Sequence, residues 1–242
     1  MISVNNLMKK KLYKANGRGT TKLNWLDSKH SFSFGEYYDP SNTHFGALRV
    51  LNDDIIEPGM GFGTHPHNNM EIITIVLEGV LEHKDNMGSI QIMKKDDVQV
   101  MSAGSGIFHS EYNHSKDENV NLLQLWIFPD KKNVKPSYDQ SSFPLSERSD
   151  QLKIVASGEN ITESLYINQK AKVILGNMTT IKNLNYKIEA ENGLYVFLID
   201  GSLKIGDIKL EKRDAVSIEE VESIEILSES KSNFLLIDVP MN

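Results

Sequence analysis

The amino-acid sequence predicts an all-β protein made of two tandem β-barrels, and three observations lead to this prediction. Short runs rich in β-branched and aromatic residues recur about every 8–12 residues, with Gly, Asn and Asp between them. No long segment has the 3.6-residue apolar spacing of an amphipathic helix. The two halves of the chain also resemble each other. Many short strands separated by turn residues are typical of a sandwich or a barrel.

The predicted strands form two series along the chain. The N-terminal series contains "EIITIVLEG", "VLEHKD", "SIQIMKK", "DVQVMSAG" and "NLLQLWIFP". The C-terminal series contains "KVILGNMTTI", "LYVFLIDG", "SLKIGDIKLEKRD", "AVSIEE", "SIEILSES" and "NFLLIDVP". Each run either alternates apolar and polar residues or is continuously apolar, as half-buried and fully buried strands are.

Two pairs of segments relate the halves of the chain. "VLEGVLEH" (Val76–His83) aligns with "LIDGSLKI" (Leu198–Ile205) at an offset of 122 residues. "MKKDDVQVM" (Met93–Met101) aligns with "LEKRDAVSI" (Leu210–Ile218) at an offset of 117 residues. A shortening of five residues between the two segments (122 − 117) reconciles the offsets. We therefore predict two copies of one β-unit.

The boundary between the two predicted domains lies in "FPDKKNVKPSYDQSSFPLSERSD", residues 128–150. This segment contains three prolines, several serines and charged residues, and little periodicity, as a linker does. We place the N-terminal domain at residues 1–140 and the C-terminal domain at residues 141–242. All seven histidines belong to the first domain, because they lie between His30 and His114.

Composition and charge narrow the classes of function. The 242-residue chain has a formal net charge of −7, which disfavours direct binding to nucleic acid or to an anionic membrane, because both need clustered Lys and Arg. The chain has no cysteine, so disulfides, thiolate metal sites and cysteine nucleophiles are excluded. It shows neither a secretory signal nor an apolar run of about 18 residues. These observations favour a cytoplasmic protein and permit a protein partner.

Two short pairs of residues are the candidate metal ligands. His65 and His67 are separated by one residue, and so are His109 and Glu111. Residues i and i+2 of a strand project from the same face, so each pair offers two ligands to one side. Two such strands that converge inside a barrel would present three imidazoles and one carboxylate. This set suits Fe(II), Mn(II), Ni(II), Cu(II) or Zn(II), and it leaves open positions for substrate and dioxygen on a six-coordinate ion.

Several neighbouring residues have two interpretations that the sequence leaves open. Histidine pairs such as His65 and His67 also occur in surface loops. Glu71 shares the strand parity of this pair, so it either reaches the ion or lines the wall of the site. His83 is interpreted as a strand-end residue and His114 as a solvated one. The candidate wall residues for a flat aromatic ligand, each of which is also a candidate core residue, are Phe32, Phe34, Phe62, Met70, Met101 and Phe108.

The sequence around both pairs resembles known motifs. Gly59–Glu71 has the pattern G-x5-H-x-H-x3-E, which resembles the first cupin motif, and Gly106–Asn113 resembles the end of the second. The stretches "HPHNNMEIITIVLEGVLEHKDNMGS" and "DVQVMSAGSGIFHSEYN" resemble the two signatures of the pirin family. "WLDSKHSFSFGEYYDP" resembles the bacterial pirin-like branch described as quercetin 2,3-dioxygenases. The chain departs from the cupin pattern in having seven residues rather than six between Glu71 and Gly79, and Gly104 in place of a proline.

The resemblance implies a bicupin, in which two tandem cupin (jelly-roll-like) barrels pack together and one metal lies in the N-terminal barrel. By this resemblance the metal ligands are His65, His67, His109 and Glu111, and Glu71 is not a ligand. The matching positions of the C-terminal half, which carry no equivalent ligand set, are Lys187, Glu189, Ile226 and Ser228. The expected cofactor is one divalent transition metal, with Fe(II) in first place and Zn, Mn, Ni and Cu as alternatives.

The function that the resemblance implies is a metal-dependent dioxygenase of the quercetin 2,3-dioxygenase type. Its substrates would be a small aromatic, flavonol-like molecule and O2, and the reaction would open the flavonol ring. Glu111 would be both a ligand and the catalytic base that accepts the proton of the flavonol hydroxyl. The alternative is a metal- or redox-sensing binding protein that acts on a regulatory protein partner, with incidental or no dioxygenase activity.

Overall fold

The computed structural model describes residues 8–242, and β-strands dominate this part of the chain. The first twelve strands are β1 (Lys9–Tyr13), β2 (Gly19–Lys22), β3 (Leu26–His30), β4 (Leu48–Ile56), β5 (Gly61–His67), β6 (Glu71–Glu78), β7 (Val80–Asp85), β8 (Ile90–Lys94), β9 (Asp97–Ser102), β10 (Ile107–Asn113), β11 (Val120–Ile127) and β12 (Ser137–Ser142). Two short 3-10 helices are Ala15–Gly17 and Leu145–Arg148. The predicted all-β class is confirmed.

The remaining strands follow at similar spacing. They are β13 (Gln151–Ser157), β14 (Leu165–Tyr166), β15 (Lys172–Met178), β16 (Lys182–Lys187), β17 (Asn192–Asp200), β18 (Leu203–Ile205), β19 (Ile208–Leu210), β20 (Ala215–Glu219), β21 (Ser223–Ser228) and β22 (Ser232–Pro240). Every run that the sequence pattern predicts as a strand contains one in the structure. The pattern succeeds because these runs are rich in residues that pack well on a pleated surface.

The described chain divides into two compact units whose segments alternate along the sequence. The N-terminal unit comprises Arg18–Pro144 and Val155–Lys170. The C-terminal unit comprises residues 8–17, Leu145–Ile154 and Ala171–Asn242. The domain bounds of 1–140 and 141–242 stay a prediction, since they concern where one inherited module ends rather than which segments cluster in space.

The N-terminal unit consists of two sheets with one apolar core. The larger sheet has the strand order β12-β9-β6-β11-β4-β3-β2, and the smaller one has the order β5-β10-β7-β8. Ile56 and Val76 from the larger sheet share a cluster of buried residues with Leu81 and Met93 from the smaller sheet. Two sheets that bury their apolar faces against each other form the walls of a barrel.

The C-terminal unit repeats this topology. Its larger sheet has the order β1-β20-β17-β22-β15, continued by the first residues of β13, and its smaller sheet has the order β16-β21-β18-β19. The order β9-β6-β11-β4-β3 of the N-terminal unit thus corresponds strand for strand to β20-β17-β22-β15-β13. The aligned turn residues Gly79 and Gly201 both have positive φ, 80° and 98°, which favours glycine at both. The predicted duplication of one β-unit is confirmed.

The two units differ at the positions aligned with the candidate ligands. Ile226 and Ser228 of β21 stand where β10 carries a histidine and a glutamate. Ile226 is fully buried in the apolar core of its unit, in contact with residues of both of its sheets. Among residues 8–242, the groups of His, Asp and Glu that are arranged to hold an ion lie in the N-terminal unit.

The N-terminal unit buries the carboxyl group of Asp54. Asp54 of β4 is 3% exposed, and its carboxylate accepts a short hydrogen bond from the hydroxyl of Ser28. Burial raises the pKa of Asp54 to about 7, and the charges of Asp53 and Glu111 add to this effect, while the Ser28 hydrogen bond opposes it. Asp54 is therefore protonated in the folded protein at pH values where an exposed aspartate is ionised.

This difference predicts how Asp54→Asn changes the pH dependence of stability. Between about pH 4 and pH 7 the folded state keeps a proton that the unfolded state has lost, so wild-type stability falls as the pH rises. The asparagine variant cannot ionise. Its melting temperature relative to wild type should therefore increase from pH 4 to pH 7 and stay level above. Asp117→Asn, at an exposed position, is the control, and its melting temperature should change with pH as that of wild type does. If the melting temperature of Asp54→Asn also runs parallel to that of wild type from pH 4 to pH 7, the raised pKa of Asp54 is contradicted.

Candidate metal centre

Strand β10 lies between β5 and β7, and its register with β5 brings the two predicted pairs together. His109 lies opposite His65, and Ile107 lies opposite His67. The register then shifts, so that Glu111 lies opposite Phe62 and β5 carries one extra residue. Such a bulge lets both His65 and Phe62 face inward although they are three positions apart.

Glycine permits the close approach of the two strands. A Cβ atom on Gly61 would lie 2.2 Å from the carbonyl oxygen of Glu111, so no larger residue fits this position. The turn that leads into β10 contains Gly104 and Gly106, with φ values of 46° and 134°. Positive φ values favour glycine at both positions, so this tight turn depends on the two glycines.

The rings of His65, His67 and His109 converge on one point. Their centroids are 4.5 Å apart for His65 and His109, 4.8 Å for His65 and His67, and 4.9 Å for His67 and His109. One nitrogen from each ring lies within 4.8 Å of the other two. With metal–nitrogen distances of about 2.1 Å, imidazoles at right angles around one ion have centroids about 4.5 Å apart. The arrangement of the three rings therefore fits a single metal ion.

In two of these rings, those of His65 and His109, the Nε2 atom is available to bind a metal ion. His65 Nδ1 donates to the carbonyl oxygen of Gly63 at 2.7 Å, so its Nε2 carries the lone pair. His109 is 1% exposed, and its buried Nε2 has no hydrogen-bond partner among residues 8–242. A buried polar nitrogen without a partner is costly unless something binds it. This nitrogen is a further sign that the three rings hold an ion.

Burial also keeps two of these rings, those of His67 and His109, neutral at physiological pH. Burial lowers the pKa of His109 to about 3, with further contributions from the neighbouring His65 and His83 and an opposing one from Asp85. Burial likewise lowers the pKa of His67 to about 4, aided by His109 and His65 and opposed by Glu111. A neutral imidazole keeps the lone pair that a metal needs, so an ion does not have to displace protons from these two rings.

Glu111 lies beside His109 on the inner side of the same strand. It is 3% exposed, and it forms a second group with His83 and His109 whose ligand atoms lie within 4.8 Å of one another. Thr74 Oγ1 donates to its Oε1 at 3.3 Å, and Gln124 Nε2 donates to its Oε2 at 2.7 Å. The structure thus brings three predicted ligands into one group and places the fourth next to it. The assignment of all four as ligands stays a prediction.

The donors to Glu111 belong to a polar row that crosses the inner face of the larger sheet. Adjacent members lie opposite each other on neighbouring strands, from β3 to β9. Polar residues on the inner face of a barrel usually indicate that something other than packing is required there. The row consists of His30, Asn52, Gln124, Thr74 and Gln99.

Glu71 is held away from the three rings. It is fully buried and accepts hydrogen bonds from Ser102 Oγ at 2.6 Å, from the backbone N–H of Asn168 at 3.1 Å and from Asn168 Nδ2 at 3.3 Å. Burial raises the pKa of Glu71, although these hydrogen bonds oppose the shift. Through these hydrogen bonds Glu71 connects the segment around Asn168 with the rest of the N-terminal unit. Glu71 belongs to neither group of candidate ligands.

Sequence reasoning missed several residues of the site. His83, which the sequence suggested to be a strand-end residue, lies within β7 and its side chain is fully buried. Its ring lies 5.3 Å from that of His109 and 4.6 Å from that of Tyr138, and its Nε2 lies 3.2 Å from Asp85 Oδ2. The signal was present in the sequence, since His83 and Asp85 have the same i, i+2 spacing as the two pairs that were recognised. His114, as expected, is exposed.

The aromatic wall of the site differs in part from the prediction. Trp126 packs edge-on against His67 with centroids 4.8 Å apart, and Phe34 packs against Trp126 at 5.3 Å. Met70 and Met101 belong to the same cluster as Trp126. The other predicted wall residues lie elsewhere: Phe32 is buried in the core, Phe62 packs against Trp25, and Phe108 is half exposed on the outer face of β10.

Comparison with known proteins agrees with this geometry. The pirin family model matches residues 11–127, and the model for the quercetinase C-terminal cupin domain matches residues 154–239. The chain belongs to the pirin family. Both of its barrels are therefore cupin barrels, which confirms the predicted fold. Within residues 8–242, no helix is long and apolar enough to cross a membrane.

Several relatives of this pirin align with most of its length. A protein named quercetin 2,3-dioxygenase from Escherichia coli K12 is 41% identical over 95% of this chain and 98% of its own. A pirin-like protein from Caulobacter vibrioides is 38% identical over 88% of this chain and 92% of its own. The crystal structure of the bacterial pirin YhhW from E. coli in complex with nickel(II) matches with a TM-score of 0.91, at 40% identity over 96% of this chain and 99% of its own.

We expect one metal ion per chain, bound in the N-terminal unit. Each of the variants His65→Ala, His67→Ala and His109→Ala removes one of three converging nitrogens, so each should lose most of the metal after loading and dialysis. The exposed His114→Ala variant is the control and should keep the wild-type metal content. Elemental analysis measures the outcome. Two ions per chain in wild type, or full metal content in His109→Ala, would contradict the assignment.

Proposed function

We propose that this pirin is a metal-dependent dioxygenase that opens the ring of a flavonol-type substrate with O2. In this proposal a single divalent transition metal is held by His65, His67, His109 and Glu111. The observation that supports it most directly is the convergence of three imidazoles, two of which burial keeps neutral, beside a buried carboxylate. The name of the E. coli relative at 41% identity supports the choice of reaction.

The donor set supports a divalent transition metal. Three imidazole nitrogens and one carboxylate oxygen suit Fe(II), which we place first, and they also suit Mn, Ni, Cu and Zn. The nickel(II) complex of the E. coli pirin is consistent with a metal of this class. When bound, the ion would supply a positive centre that favours the ionised form of a flavonol hydroxyl, together with the redox chemistry that O2 requires.

In this proposal Glu111 accepts the hydroxyl proton. Both of its oxygens already receive a hydrogen bond, from Thr74 and from Gln124, and these two donors hold the carboxylate in one orientation. Gln124 is held in turn, because Trp126 Nε1 donates to its Oε1 at 3.1 Å. Glu111, Gln124 and Trp126 therefore form a connected chain. A substrate that packs against the indole of Trp126 would be positioned relative to the proton acceptor.

The substrate side of the site suits a flat apolar molecule. Trp126 stands against the ring of His67 and is backed by Phe34, while Met70 packs on the same cluster. Aromatic rings and thioether side chains adapt well to planar ligands. A flavonol has both features that this site would recognise, a flat aromatic body and one acidic hydroxyl next to a carbonyl group.

A second function is supported by the outer face of β10. Phe108 and Tyr112 are 50% and 38% exposed there, on the strand whose inner face carries His109 and Glu111. A protein partner that binds this face could sense whether the site holds metal. Under this alternative the chain is a metal- or redox-sensing binding protein that acts on a regulatory partner. Turnover of quercetin under air by the metal-loaded protein separates the two functions, since a sensor would show little or none.

The role of Glu111 predicts a contrast between two buried glutamates. Glu111→Gln keeps the shape and a carbonyl oxygen but removes the charge and the basicity, so quercetin turnover should fall about 10²–10⁴-fold. Much of the metal should remain, because three imidazoles still hold it. Glu71→Gln is the matched control, and it should keep both the metal and most of the turnover, because Glu71 contacts Ser102 and Asn168 instead.

Iron content and quercetin turnover should be measured side by side in wild type and both variants. Wild-type turnover in Glu111→Gln would exclude the role as proton acceptor. Loss of iron in Glu71→Gln with retention in Glu111→Gln would show that the wrong carboxylate was chosen. Absence of turnover in iron-loaded wild type would argue against a flavonol as the substrate.

A further inference from the structure

A row of three buried side chains continues from the candidate metal centre into the N-terminal unit. His109 Nδ1 lies 3.5 Å from His83 Nδ1, and His83 Nε2 lies 3.2 Å from Asp85 Oδ2. The side chains of His83 and Asp85 are both fully buried. The row starts at His109, whose Nδ1 faces another ring, whereas Nδ1 of His65 faces the carbonyl oxygen of Gly63.

Strand register produces this row. On β7, His83 and Asp85 are two positions apart and face inward, as the alternating burial of the strand shows. β10 pairs with β7 so that His109 lies opposite Asp85, and Glu111 lies opposite His83. The ring of Tyr138 also packs against His83, with ring centroids 4.6 Å apart.

Asp85 is the fixed end of the row. Its Oδ1 accepts hydrogen bonds from the backbone N–H groups of Met87 at 2.8 Å and Ser89 at 3.0 Å, which leaves Oδ2 to face His83. Burial opposes ionisation of this carboxyl group, but the hydrogen bonds from Ser89, His83 and Met87 hold the pKa of Asp85 below its usual value. Asp85 is therefore a carboxylate at neutral pH and only accepts hydrogen bonds.

The contact with Asp85 determines which ring nitrogens of His83 and His109 carry a hydrogen. Since Asp85 Oδ2 only accepts, the hydrogen of a neutral His83 is on Nε2, and its Nδ1 is then an acceptor. His109 must then carry its hydrogen on Nδ1 to donate to His83. This leaves the lone pair of His109 on Nε2, the buried nitrogen that has no partner among residues 8–242. One carboxylate thus determines the tautomer of two imidazoles.

We propose that His83 and Asp85 are a positioning pair that holds His109 in the tautomer and orientation needed to bind the metal. The inference rests on the proposed metal site. A ligand histidine whose second nitrogen donates to a fixed acceptor binds metal more tightly, and loss of such an acceptor typically lowers affinity about 10–100-fold. In this chain the acceptor is a second imidazole, and the carboxylate lies one residue further away.

The structure offers one competing role for His83. Its ligand atom lies within 4.8 Å of those of His109 and Glu111, so His83 is itself close enough to be considered as a ligand. The two roles differ in what a replacement must supply. A ligand must bring a nitrogen lone pair to the ion, whereas a positioning residue must bring an acceptor to His109 Nδ1.

Three variants separate these roles. His83→Phe keeps a planar ring but removes the acceptor. His83→Asn places an amide oxygen near the position of Nδ1, so it keeps an acceptor without needing Asp85. Asp85→Asn turns an amide donor or a weaker acceptor toward His83 and should shift its tautomer. His114→Phe, at an exposed ring of the same unit, is the control for a histidine replacement. Thermal melting checks that each variant is folded.

The first measurement uses metal-free protein labelled with 15N in histidine. Long-range 1H–15N spectra distinguish the protonated from the unprotonated ring nitrogen. We expect His109 to carry its hydrogen on Nδ1 in wild type, His83→Asn and His114→Phe, and to be a mixture of tautomers in His83→Phe and Asp85→Asn. An unchanged His109 spectrum in both of the last two variants would overturn the proposal. This measurement does not depend on whether wild type binds metal.

The second measurement is a Zn(II) titration against a competing chelator at fixed pH. We expect one Zn(II) per chain throughout, an affinity about 10–100-fold lower in His83→Phe, a smaller loss in Asp85→Asn, and an affinity within a few-fold of wild type in His83→Asn. Equal affinity in wild type and His83→Phe would overturn the proposal. Loss of bound Zn(II) in both His83 variants would make His83 a ligand and would overturn it as well. Absence of Zn(II) binding by wild type would instead count against the proposed metal site, while the spectra still test the tautomer.

Discussion

The register of strand β10 with its two neighbours is the constraint on which the site depends. β5 and β7 flank β10, so His65 and Asp85 lie on opposite sides of His109, and Glu111 lies opposite His83. Side chains alternate between the faces of a strand, so a slip of one residue would turn all of these groups outward. The same slip would expose the buried Ile107 and Leu81, which share the inner face. Core packing and the convergence of the candidate ligands therefore require the same alignment.

The interior of the N-terminal unit contains many buried polar groups, and hydrogen bonds compensate for their burial. Glu111, Glu71 and Asp85 are each surrounded by donors, and none relies on a lysine or arginine. Burying carboxylates is costly, and each hydrogen bond from a fixed donor offsets part of this cost. The C-terminal unit has the same topology but an apolar residue, Ile226, at the position aligned with His109. The comparison shows that the fold itself does not need the polar interior.

Much of the fold follows from the two-residue period of the sequence, and so does the convergence of the histidines. His65, His67 and His109 could be grouped because strand parity is a local property that short motifs carry. Parity also marks His83 and Asp85, but it could not show that their strand lies beside β10 rather than at an edge. The position of Glu71 depends on Asn168, which is 97 residues away along the chain. Contacts at such separation leave no periodic signal, so strand parity alone could not show whether Glu71 reaches the ion or lines the wall of the site.

The hydrogen bonds between Glu71 and Asn168 have a consequence for how this barrel can be inherited. The histidines and Glu111 all precede residue 144. The amide groups that donate hydrogen bonds to the buried Glu71 belong to Asn168, in the segment Val155–Lys170. Recombination within residues 128–150 would transfer every candidate ligand into a new protein and leave behind Asn168, the partner of a fully buried carboxyl group. The metal-site half is therefore not a portable module, and gene fusions or exchanges are expected to preserve the two halves together.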